Sequence, residues 1–510
     1  MAADLFLGID VGTSGVKVLL VDSNGRVVDH QDESYPLLEP RPLWAEQDPE
    51  AWWRATARAL RKLSERQPLK RRLAAVGLAG QMHGSVFLDG RDRVVRPALI
   101  WCDQRTGPEA AEIERAVGSE KLRRITGNPL FTGFTAPKVR WLQKHEPANY
   151  RRTARLFLPK DYIRYRLTGT AASEVTDNSG TGFFDVNRRN WSPEIMAAAG
   201  VPDRWLPPVL ESPALAGQVS PEAARRTGLP AGCPVAAGAG DQAASGVGNG
   251  VVRPGVVSAT LGTSGVVFAY SERIRRDPAG RIHTMCHAVP GAWHLMGVTL
   301  AAGGALRWYR DAFCPAEKAE AQRRRIDPYE IMTAAAGRIP AGADGLLFLP
   351  YLNGERTPHA NPMARAVFFG ATSRHTRAHF TRAVLEGVTF ALRDSLEIMK
   401  DLKLPLREVR LSGGGARSAL WCQMQADNFQ ALCRRTVNPD TTALGAAILA
   451  ACGAGAFASV AEGCAGMVRT GRTFRPEPAA GRRYREAYRI FKALYPALAP
   501  YFDRAAGLEV

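Results

Sequence analysis

A chain of 510 residues is too long for one ordinary core, since domains usually run roughly 100–200 residues, and two sizeable domains are expected. With 45% hydrophobic and 23% charged residues, its composition is that of a globular protein and excludes a disordered or fibrous chain. The formal net charge of +18 comes from arginines scattered in short clusters, which favours a surface suited to an anionic substrate over a nucleic-acid-binding stripe.

The eight cysteines include no C-x-x-C pair, which is typical of a reduced, cytoplasmic compartment. The apolar run at residues 5–9 is too short for a secretion signal, and no apolar stretch reaches the ~20 residues of a membrane helix. We therefore expect a soluble protein with no membrane or nucleic-acid partner. A homodimer is one possible assembly of the chain.

The first predicted element is a β-hairpin, with apolar, β-branched runs at residues 5–11 and 16–21 around a Gly-Thr-Ser-Gly turn. Such a turn can direct backbone N–H groups and hydroxyls at one point, so Gly12, Thr13 and Ser14 are candidate phosphate ligands. Asp10 stands beside the turn, where a carboxylate could hold Mg²⁺. The alternatives are a plain tight turn and a turn-capping aspartate.

The same turn recurs 250 residues later, with GTSGV identical and Gly262, Thr263 and Ser264 in the corresponding positions. Thr260 replaces the aspartate, so only the first copy carries a carboxylate. The offset is about half the chain. We place the domain boundary near residue 250, which gives an N-terminal domain at 1–250 and a C-terminal domain at 251–510.

The remaining pattern is that of layered α/β domains. Helical spacing of apolar residues occurs at 51–63, 221–228, 377–404 and 482–495. Short buried strands are predicted at 74–78, 235–237, 345–349 and 408–411.

Candidate substrate contacts follow two of the apolar runs. Met82 and His83 come after the strand at 74–78, where an active-site loop often begins, and could hold a polyol. Trp101 and Arg105 follow the next run and could contact sugar hydroxyls. The alternatives are a structural histidine at 83 and an ion pair between Asp103 and Arg105.

Asp241 follows the strand at 235–237 in a run of small residues that lets substrates approach closely. In phosphoryl transfer a carboxylate accepts the proton of the attacking hydroxyl, and Asp241 is the candidate for this role, with Gln242 beside it. The alternative is a helix N-cap.

A glycine run follows the strand at 408–411. Because glycines have no side chain, the adenosine end of ATP could lie against the backbone there, and the candidate contacts are Gly413, Gly414, Gly415 and Ala416. Residues 443–447 are typical of tight helix packing. The sequence has neither the P-loop nor the protein-kinase motifs. His283 and His287 are predicted to lie in a surface strand or loop rather than in a zinc site.

Taken together, the ordered motifs resemble the FGGY carbohydrate kinases from Gly8 to about Ala450. They are the first turn, the stretch 133–142, Gly240-Asp241-Gln242, the second turn and the segment 412–416. The resemblance implies two duplicated actin/hexokinase-like (ribonuclease H-like) α/β domains, with ATP and sugar in the cleft between them. It also implies that Asp241 is the catalytic base, that Asp10, Thr13 and Ser14 contact phosphate and metal, and that Asp10 and Asp241 hold Mg²⁺.

Four shorter stretches, at residues 44–49, 81–84, 158–162 and 354–359, resemble the branch of the family that phosphorylates D-xylulose to D-xylulose 5-phosphate. Glycerol kinases carry an Arg-Glu pair where Met82 and His83 stand here, whereas Gln242 is the residue that they share. The alternatives are a kinase for ribulose, a hexulose, gluconate or glycerol, and a sugar-sensing regulator without turnover.

Overall fold

The structure, a computed structural model, describes residues 4–506, and two seven-stranded sheets divide it into a first half (residues 4–250) and a second half (residues 251–506). The strands of the first half are β1 Leu5–Val11, β2 Gly15–Asp22, β3 Val27–Ser34, β4 Glu46–Gln47, β5 Leu73–Gly80, β6 Val86–Asp89, β7 Ala98–Leu99, β8 Thr153–Phe157, β9 Ser173–Glu174, β10 Phe184–Asp185, β11 Asn190–Trp191, β12 Val209–Leu210, β13 Leu215–Gln218, β14 Pro234–Ala236 and β15 Ala239–Gly240. Its helices are α1 Pro49–Arg66, α2 Leu69–Arg72, α3 Gly107–Val117, α4 Ser119–Thr126, α5 Thr135–His145, α6 Pro147–Arg152, α7 Pro159–Thr168, α8 Val175–Asn178, α9 Pro193–Ala199, α10 Pro221–Thr227 and α11 Asp241–Gly248, with a 3₁₀ turn at Asp203–Trp205.

The second half repeats the plan. Its strands are β16 Gly255–Leu261, β17 Gly265–Ser271, β18 His283–Cys286, β19 Trp293–Thr299, β20 Leu347–Leu349, β21 Val367–Phe369, β22 Leu406–Ser412, β23 Leu432–Thr436 and β24 Thr470–Phe474. Its helices are α12 Gly303–Phe313, α13 Pro315–Arg324, α14 Pro328–Ala336, α15 Arg377–Asp401, α16 Ala419–Phe429, α17 Thr441–Gly453, α18 Val460–Met467 and α19 Pro478–Ala506, with 3₁₀ turns at Ala343–Gly345 and Gly414–Arg417.

The two main sheets share one topology, which confirms the duplication that the repeated turn predicts. In the first, β1 pairs antiparallel with β2, β2 with β3, and the other edge of β1 pairs parallel with β5. In the second, β16 pairs antiparallel with β17, β17 with β19, and the other edge of β16 pairs parallel with β22. Beyond β5 and β22, both sheets continue with one more parallel strand, β14 and β23.

The predicted hairpins, helices and strands are all present. Helix α1 begins where Asp48 accepts a hydrogen bond from the backbone N–H of Glu50, and it buries its apolar face on the first sheet. The strand expected at 345–349 is shorter, Leu347–Leu349, because its first residue completes the 3₁₀ turn Ala343–Gly345.

The halves meet where α11 and α17 pack together, and α17 also lies across β1 and β5 of the first sheet. The approach is so close that a Cβ on Gly445 would stand 1.8 Å from the carbonyl oxygen of Ala244. A Cβ on Gly8 would stand 1.8 Å from the carbonyl oxygen of Ala443. The tight packing predicted for residues 443–447 is therefore confirmed, and it brings the ends of β1 and β16 to one cleft.

Two global properties follow from the described residues. None of the helices within residues 4–506 is long and apolar enough to cross a membrane. All eight cysteines are free thiols.

Candidate active site

Asp10 lies near the end of β1, on the wall of the cleft, and one of its carboxylate oxygens, Oδ1, is buried without a hydrogen-bond partner among residues 4–506. Burial, together with the nearby charges of Asp241 and Asp440 and against the opposing charge of Lys17, raises the pKa of Asp10 to about 7. Such a carboxylate is costly to leave uncompensated, so this position favours a cation.

Asp241 is the first residue of α11, directly after β15, and its Oδ1 accepts a hydrogen bond of 2.7 Å from the backbone N–H of Gln242. Gly240 is the N-cap, so the helix-cap interpretation of Asp241 is wrong. The backbone N–H of Gly240 donates to Thr176 Oγ1 at 2.9 Å, which fixes the start of the helix. Burial raises the pKa of Asp241 to about 6, which is suitable for accepting a proton near neutral pH.

Both Gly-Thr-Ser turns have exposed tips. Thr13 is held from three sides: its Oγ1 accepts from Trp101 Nε1 at 2.9 Å and donates to Gln81 Oε1 at 3.4 Å, while its carbonyl accepts from Gln47 Nε2 at 2.7 Å. Ser14 is exposed, as are the three residues of the second turn, Gly262, Thr263 and Ser264. The hydroxyls of Ser14, Thr263 and Ser264 therefore face solvent at the cleft, where an anion could reach them.

A cavity of about 280 Å³ lies between Asp10 of the first hairpin and Gly262 and Ser264 of the second turn. Its lining combines Asp10, Lys17, Gln242, Ser245, Thr260, Gly262, Ser264, Val266, Gly413, Pro439, Asp440, Thr441, Thr442 and Ala443. A second cavity, of about 210 Å³, shares Gly413 and Pro439 with the first and extends past Gly414 and Ala416 to Arg417 and Arg435. The two cavities adjoin, so a groove runs from Asp10 to the glycine segment.

The glycine segment has two different parts. Gly413 has a φ of +78° and a Cβ there would stand 2.5 Å from the carbonyl oxygen of Leu261, so only glycine fits. Gly415 instead packs against the side chain of Leu261, since a Cβ would meet that side chain at 2.7 Å. Gly413, Gly414 and Ala416 therefore line the groove, whereas Gly415 supports the segment from behind.

Met82 and His83 lie on the other side of Asp241. A Cβ on Gly240 would stand 2.8 Å from Met82 Cγ, which shows how closely the buried methionine approaches the base of α11. His83 adopts a left-handed backbone with φ of +69°, and its ring stacks on Phe134 with centroids 4.8 Å apart. His83 Nδ1 lies 2.7 Å from the carbonyl oxygen of Gly180.

The tautomer of His83 follows from that contact. A carbonyl oxygen only accepts, so Nδ1 carries the proton and Nε2 is left as an acceptor. Burial, with the positive charge of Lys138 next, lowers the pKa of His83 to about 3, and the ring is neutral at physiological pH. Lys138 Nζ also donates to the carbonyl oxygen of His83 at 2.9 Å, and the Thr135 hydroxyl donates to the same oxygen at 3.2 Å. These contacts hold the unusual backbone of His83 in place.

Trp101 and Arg105, predicted together, have different surroundings. Trp101 is 46% exposed and reaches the first turn through its hydrogen bond to Thr13. The side chain of Arg105 is almost completely buried: its guanidinium forms ion pairs of 2.6 Å with Asp103 and 2.8 Å with Glu46 and lies 3.5 Å from the ring centroid of Trp44. The ion-pair interpretation describes Arg105, and a direct sugar contact is excluded by these partners.

Both histidines expected on the surface are buried, which corrects that prediction. His283 belongs to edge strand β18, which the first half covers: its Nδ1 lies 3.0 Å from Asn128 Oδ1, and Asn128 Nδ2 donates to the carbonyl oxygen of Thr284 at 2.9 Å. His287 Nε2 lies 2.9 Å from the carbonyl oxygen of Val251. Among the described residues no cluster of three or more His, Cys, Asp or Glu side chains could hold a metal ion.

Sequence reasoning missed two groups of polar residues. Lys17 lines the cleft and forms an ion pair with Asp440; hairpin register places it opposite Asp10, a signal that the sequence did contain. Behind Asp241 lies a fully buried network in which Lys160 Nζ contacts Asp161 at 2.7 Å and Asp177 at 3.4 Å. No local pattern reveals this network, because its members come from α7 and α8 and meet only in the fold.

Two duplicated α/β halves, with carboxylates and two exposed Gly-Thr-Ser turns on one cleft, define the class of a two-domain kinase that acts on a small molecule. Residues 5–248 match the N-terminal domain of the FGGY family of carbohydrate kinases, and residues 257–454 match its C-terminal domain. The chain therefore belongs to the FGGY family of carbohydrate kinases, and its fold and enzyme class are those expected from the sequence.

Similar proteins cover almost the whole chain. The xylulose kinase of Escherichia coli K12 is 41% identical over 97% of this chain and 99% of its own length. That of Bacillus subtilis 168 is 37% identical over 96% of both chains. The crystal structure of xylulose kinase from Rhodospirillum rubrum superposes with a TM-score of 0.90 at 34% identity, covering 98% of this chain and 100% of that one.

Proposed function

We propose that the protein transfers the γ-phosphoryl group of ATP to D-xylulose, giving D-xylulose 5-phosphate and ADP. The observation that carries the proposal is the cleft in which Asp241 and Asp10 stand between the groove along the glycine segment and the side chains of Met82 and His83. Full-length similarity to proteins named xylulose kinase supports the choice of sugar.

Asp241 is proposed as the general base. It lies between Met82, which would pack against the sugar carbons, and Asp10, whose pKa responds to its charge. As the C5 hydroxyl attacks the γ-phosphorus, its proton passes to the carboxylate of Asp241 while the bond to the β,γ-bridging oxygen of ATP breaks. A pKa of about 6 allows Asp241 to be ionised before transfer and to accept that proton.

His83 and Gln242 would orient the sugar. The unprotonated Nε2 of His83 can accept a hydrogen bond from a sugar hydroxyl, and the amide of Gln242 can donate to one or accept from one. Trp101 would close the open side of the pocket, since it is exposed and anchored to Thr13.

Mg²⁺ fits the same residues. The partnerless oxygen of Asp10 and the carboxylate of Asp241 supply the hard oxygen ligands that this ion prefers, with waters and phosphate oxygens completing its shell. When bound, the ion would neutralise charge on the transferred phosphate. Gly12, Thr13, Ser14, Gly262, Thr263 and Ser264 would hold the phosphates, and Gly413, Gly414 and Ala416 the adenosine.

We further propose that the chain divides near residue 250 into an N-terminal domain with the catalytic aspartate and a C-terminal domain that binds adenosine. The free thiols of all eight cysteines support a reduced, cytoplasmic location.

A competition assay tests the proposed substrate. Purified protein receives MgATP and an equimolar mixture of D-xylulose, D-ribulose, D-gluconate and glycerol, and mass spectrometry quantifies each phosphorylated product, whose ratios equal the ratios of kcat/KM. We expect D-xylulose 5-phosphate to dominate. Dominance of another product would overturn the choice of sugar, and ADP release without any sugar phosphate would overturn the kinase proposal itself.

A further inference from the structure

Arg356 reaches from the second half to the aromatic wall of the sugar pocket. Its guanidinium carbon lies 4.4 Å from the ring centroid of Phe131, which belongs to the first half. The ring of Phe131 is 5.4 Å from that of Phe134, on which His83 stacks. Arg356 therefore approaches the His83 end of the proposed sugar site from the second half, whereas the residues predicted to bind sugar belong to the first half.

The guanidinium of Arg356 lacks a partner of its own. Within residues 4–506 it makes neither a hydrogen bond nor an ion pair, and burial lowers its pKa. The charge of the neighbouring Glu355 opposes this shift, but Glu355 forms no ion pair with the guanidinium among the described residues: its Oε1 accepts from the backbone N–H groups of Leu300 and Arg356, and burial raises the pKa of Glu355 to about 8. The carboxyl group is therefore largely protonated at pH 7.

Arg105 provides the contrast. It also stacks on an aromatic ring, but two carboxylates form ion pairs with it within the first half. Arg356 is partly exposed, so its donors can reach solvent, and a ligand that displaces this solvent would have to supply the acceptors. The guanidinium of Arg356 is thus a set of free donors beside His83.

The chemistry of the proposed reaction calls for such a donor. The furanose ring of a 2-ketopentose closes when O5 adds to C2, so the oxygen that must attack ATP is blocked in the cyclic form. Only the acyclic ketose has a free C5 hydroxyl, and that form carries a C2 carbonyl oxygen. With C5 at Asp241 and the carbon chain along Met82, C2 and its oxygen extend toward His83 and the aromatic wall.

We propose that Arg356 is a specificity-determining residue that donates hydrogen bonds to the C2 carbonyl oxygen of the acyclic ketose. This inference rests on the proposed function and adds a sugar contact from the second half, which would form as the two halves enclose the substrate. A neutral carbonyl is a good acceptor for a charged donor that closure of the halves around the substrate would remove from water.

A double-mutant cycle between protein and substrate tests the contact. One substrate is D-xylulose, and the other is 2-deoxy-D-threo-pentitol, which keeps the C3 and C4 configuration but has no oxygen at C2. In Arg356→Met the side-chain stem stays over Phe131 and the donors are lost. We expect kcat/KM for D-xylulose to fall about 10- to 100-fold, as for loss of one charged hydrogen bond. For the pentitol it should stay within about twofold of wild type.

Arg338→Met is the matched control, since Arg338 is an exposed arginine of the same half, and it should leave both substrates unaffected. Equal losses on both substrates in Arg356→Met would overturn the contact and leave Arg356 as a link between the halves. If Arg356→Met does not fold, Arg356→Lys, which keeps the charge and the stem but not the planar fork, undergoes the same cycle with the same criterion.

The proposed function and this inference fail in different ways. A wild-type enzyme that prefers another sugar in the competition assay contradicts the proposed function before any variant is made. A wild-type enzyme that prefers D-xylulose, with a variant that loses activity equally on both substrates, contradicts only the role of Arg356.

Discussion

At the scale of single residues, Asp10 and Thr260 hold equivalent positions in the two hairpins and have opposite surroundings. The Thr260 hydroxyl is hydrogen-bonded to the Ser412 hydroxyl at 2.8 Å, whereas Asp10 Oδ1 has no partner among residues 4–506. The two equivalent positions therefore differ: the Thr260 hydroxyl is satisfied within the protein, whereas Asp10 Oδ1 is available to a ligand. The carboxylate of Asp10 also has the negative charge that a divalent cation requires.

Substitution at the two positions should therefore have unequal effects. In Asp10→Ala, kcat/KM for MgATP should fall by roughly 10- to 100-fold or more, because the variant loses an oxygen that would hold Mg²⁺. Thr260→Ala should have a much smaller effect, since its hydroxyl is already satisfied. Initial rates over a series of Mg²⁺ concentrations measure both, and equal losses at the two positions would contradict the asymmetry.

Single residues also show how far sequence reasoning reaches. Asp241 and His83 were predicted as site residues because each follows a buried strand, a local pattern that indicates a loop at a sheet edge, and their roles stay predictions. Lys138 and Arg356 were not found, because their importance depends on the carbonyl of His83 and the ring of Phe131, which only the fold brings to them. The sequence predicted that Arg105 could contact the sugar or pair with Asp103. The structure adds an ion pair with Glu46, which lies 59 residues earlier in the sequence.

At the scale of elements, the two GTSGV segments form different turns. Val11 pairs with Val16 in the first hairpin, whereas Leu261 pairs with Gly265 in the second, a register that is one residue shorter. Their neighbours also differ. Trp101 Nε1 donates a hydrogen bond to Thr13 in the first turn, and the backbone N–H groups of residues 302–304 donate to carbonyl oxygens of the second turn. Identical sequence predicted two hairpins correctly, but tertiary contacts determine how each closes.

Helices α11 and α17 set the distance between the halves through glycines. Gly445→Ala should force the helices apart, because the new Cβ would overlap the carbonyl of Ala244, and should cost about 1–3 kcal/mol of stability. Thermal and urea unfolding followed by circular dichroism measure this cost. Gly90→Ala is the control, since nothing lies within 4 Å of its Cβ and the backbone is not left-handed there. A Gly445→Ala variant as stable as the control would show that the helix contact yields readily.

At the scale of the whole molecule, the proposed sugar and nucleotide sites lie on opposite walls of one cleft. The residues proposed to contact the sugar are mainly in the first half, the groove proposed to hold adenosine is in the second, and Asp10 lies between them. Water in such a cleft would compete with the sugar for the γ-phosphate, so productive transfer favours closure of the halves around both ligands.

Small-angle scattering tests closure. The radius of gyration should decrease when D-xylulose and a non-hydrolysable ATP analogue bind together, and it should decrease less with either ligand alone. Glycerol in place of D-xylulose provides a control for solvent effects. An unchanged radius of gyration with both ligands bound would contradict a moving hinge.

The central claim is that Asp241 takes the proton from the attacking sugar hydroxyl. Asp241→Asn keeps the size of the side chain and removes its basicity, so kcat should fall by ~10²–10⁴-fold. The Kd for D-xylulose, measured by calorimetry, and the unfolding temperature should stay close to wild type, because most ground-state contacts remain. Asp401→Asn, at an exposed position at the end of α15, controls for loss of a carboxylate elsewhere. Near-normal turnover in Asp241→Asn, with a much lower unfolding temperature, would contradict the account and assign Asp241 a structural role.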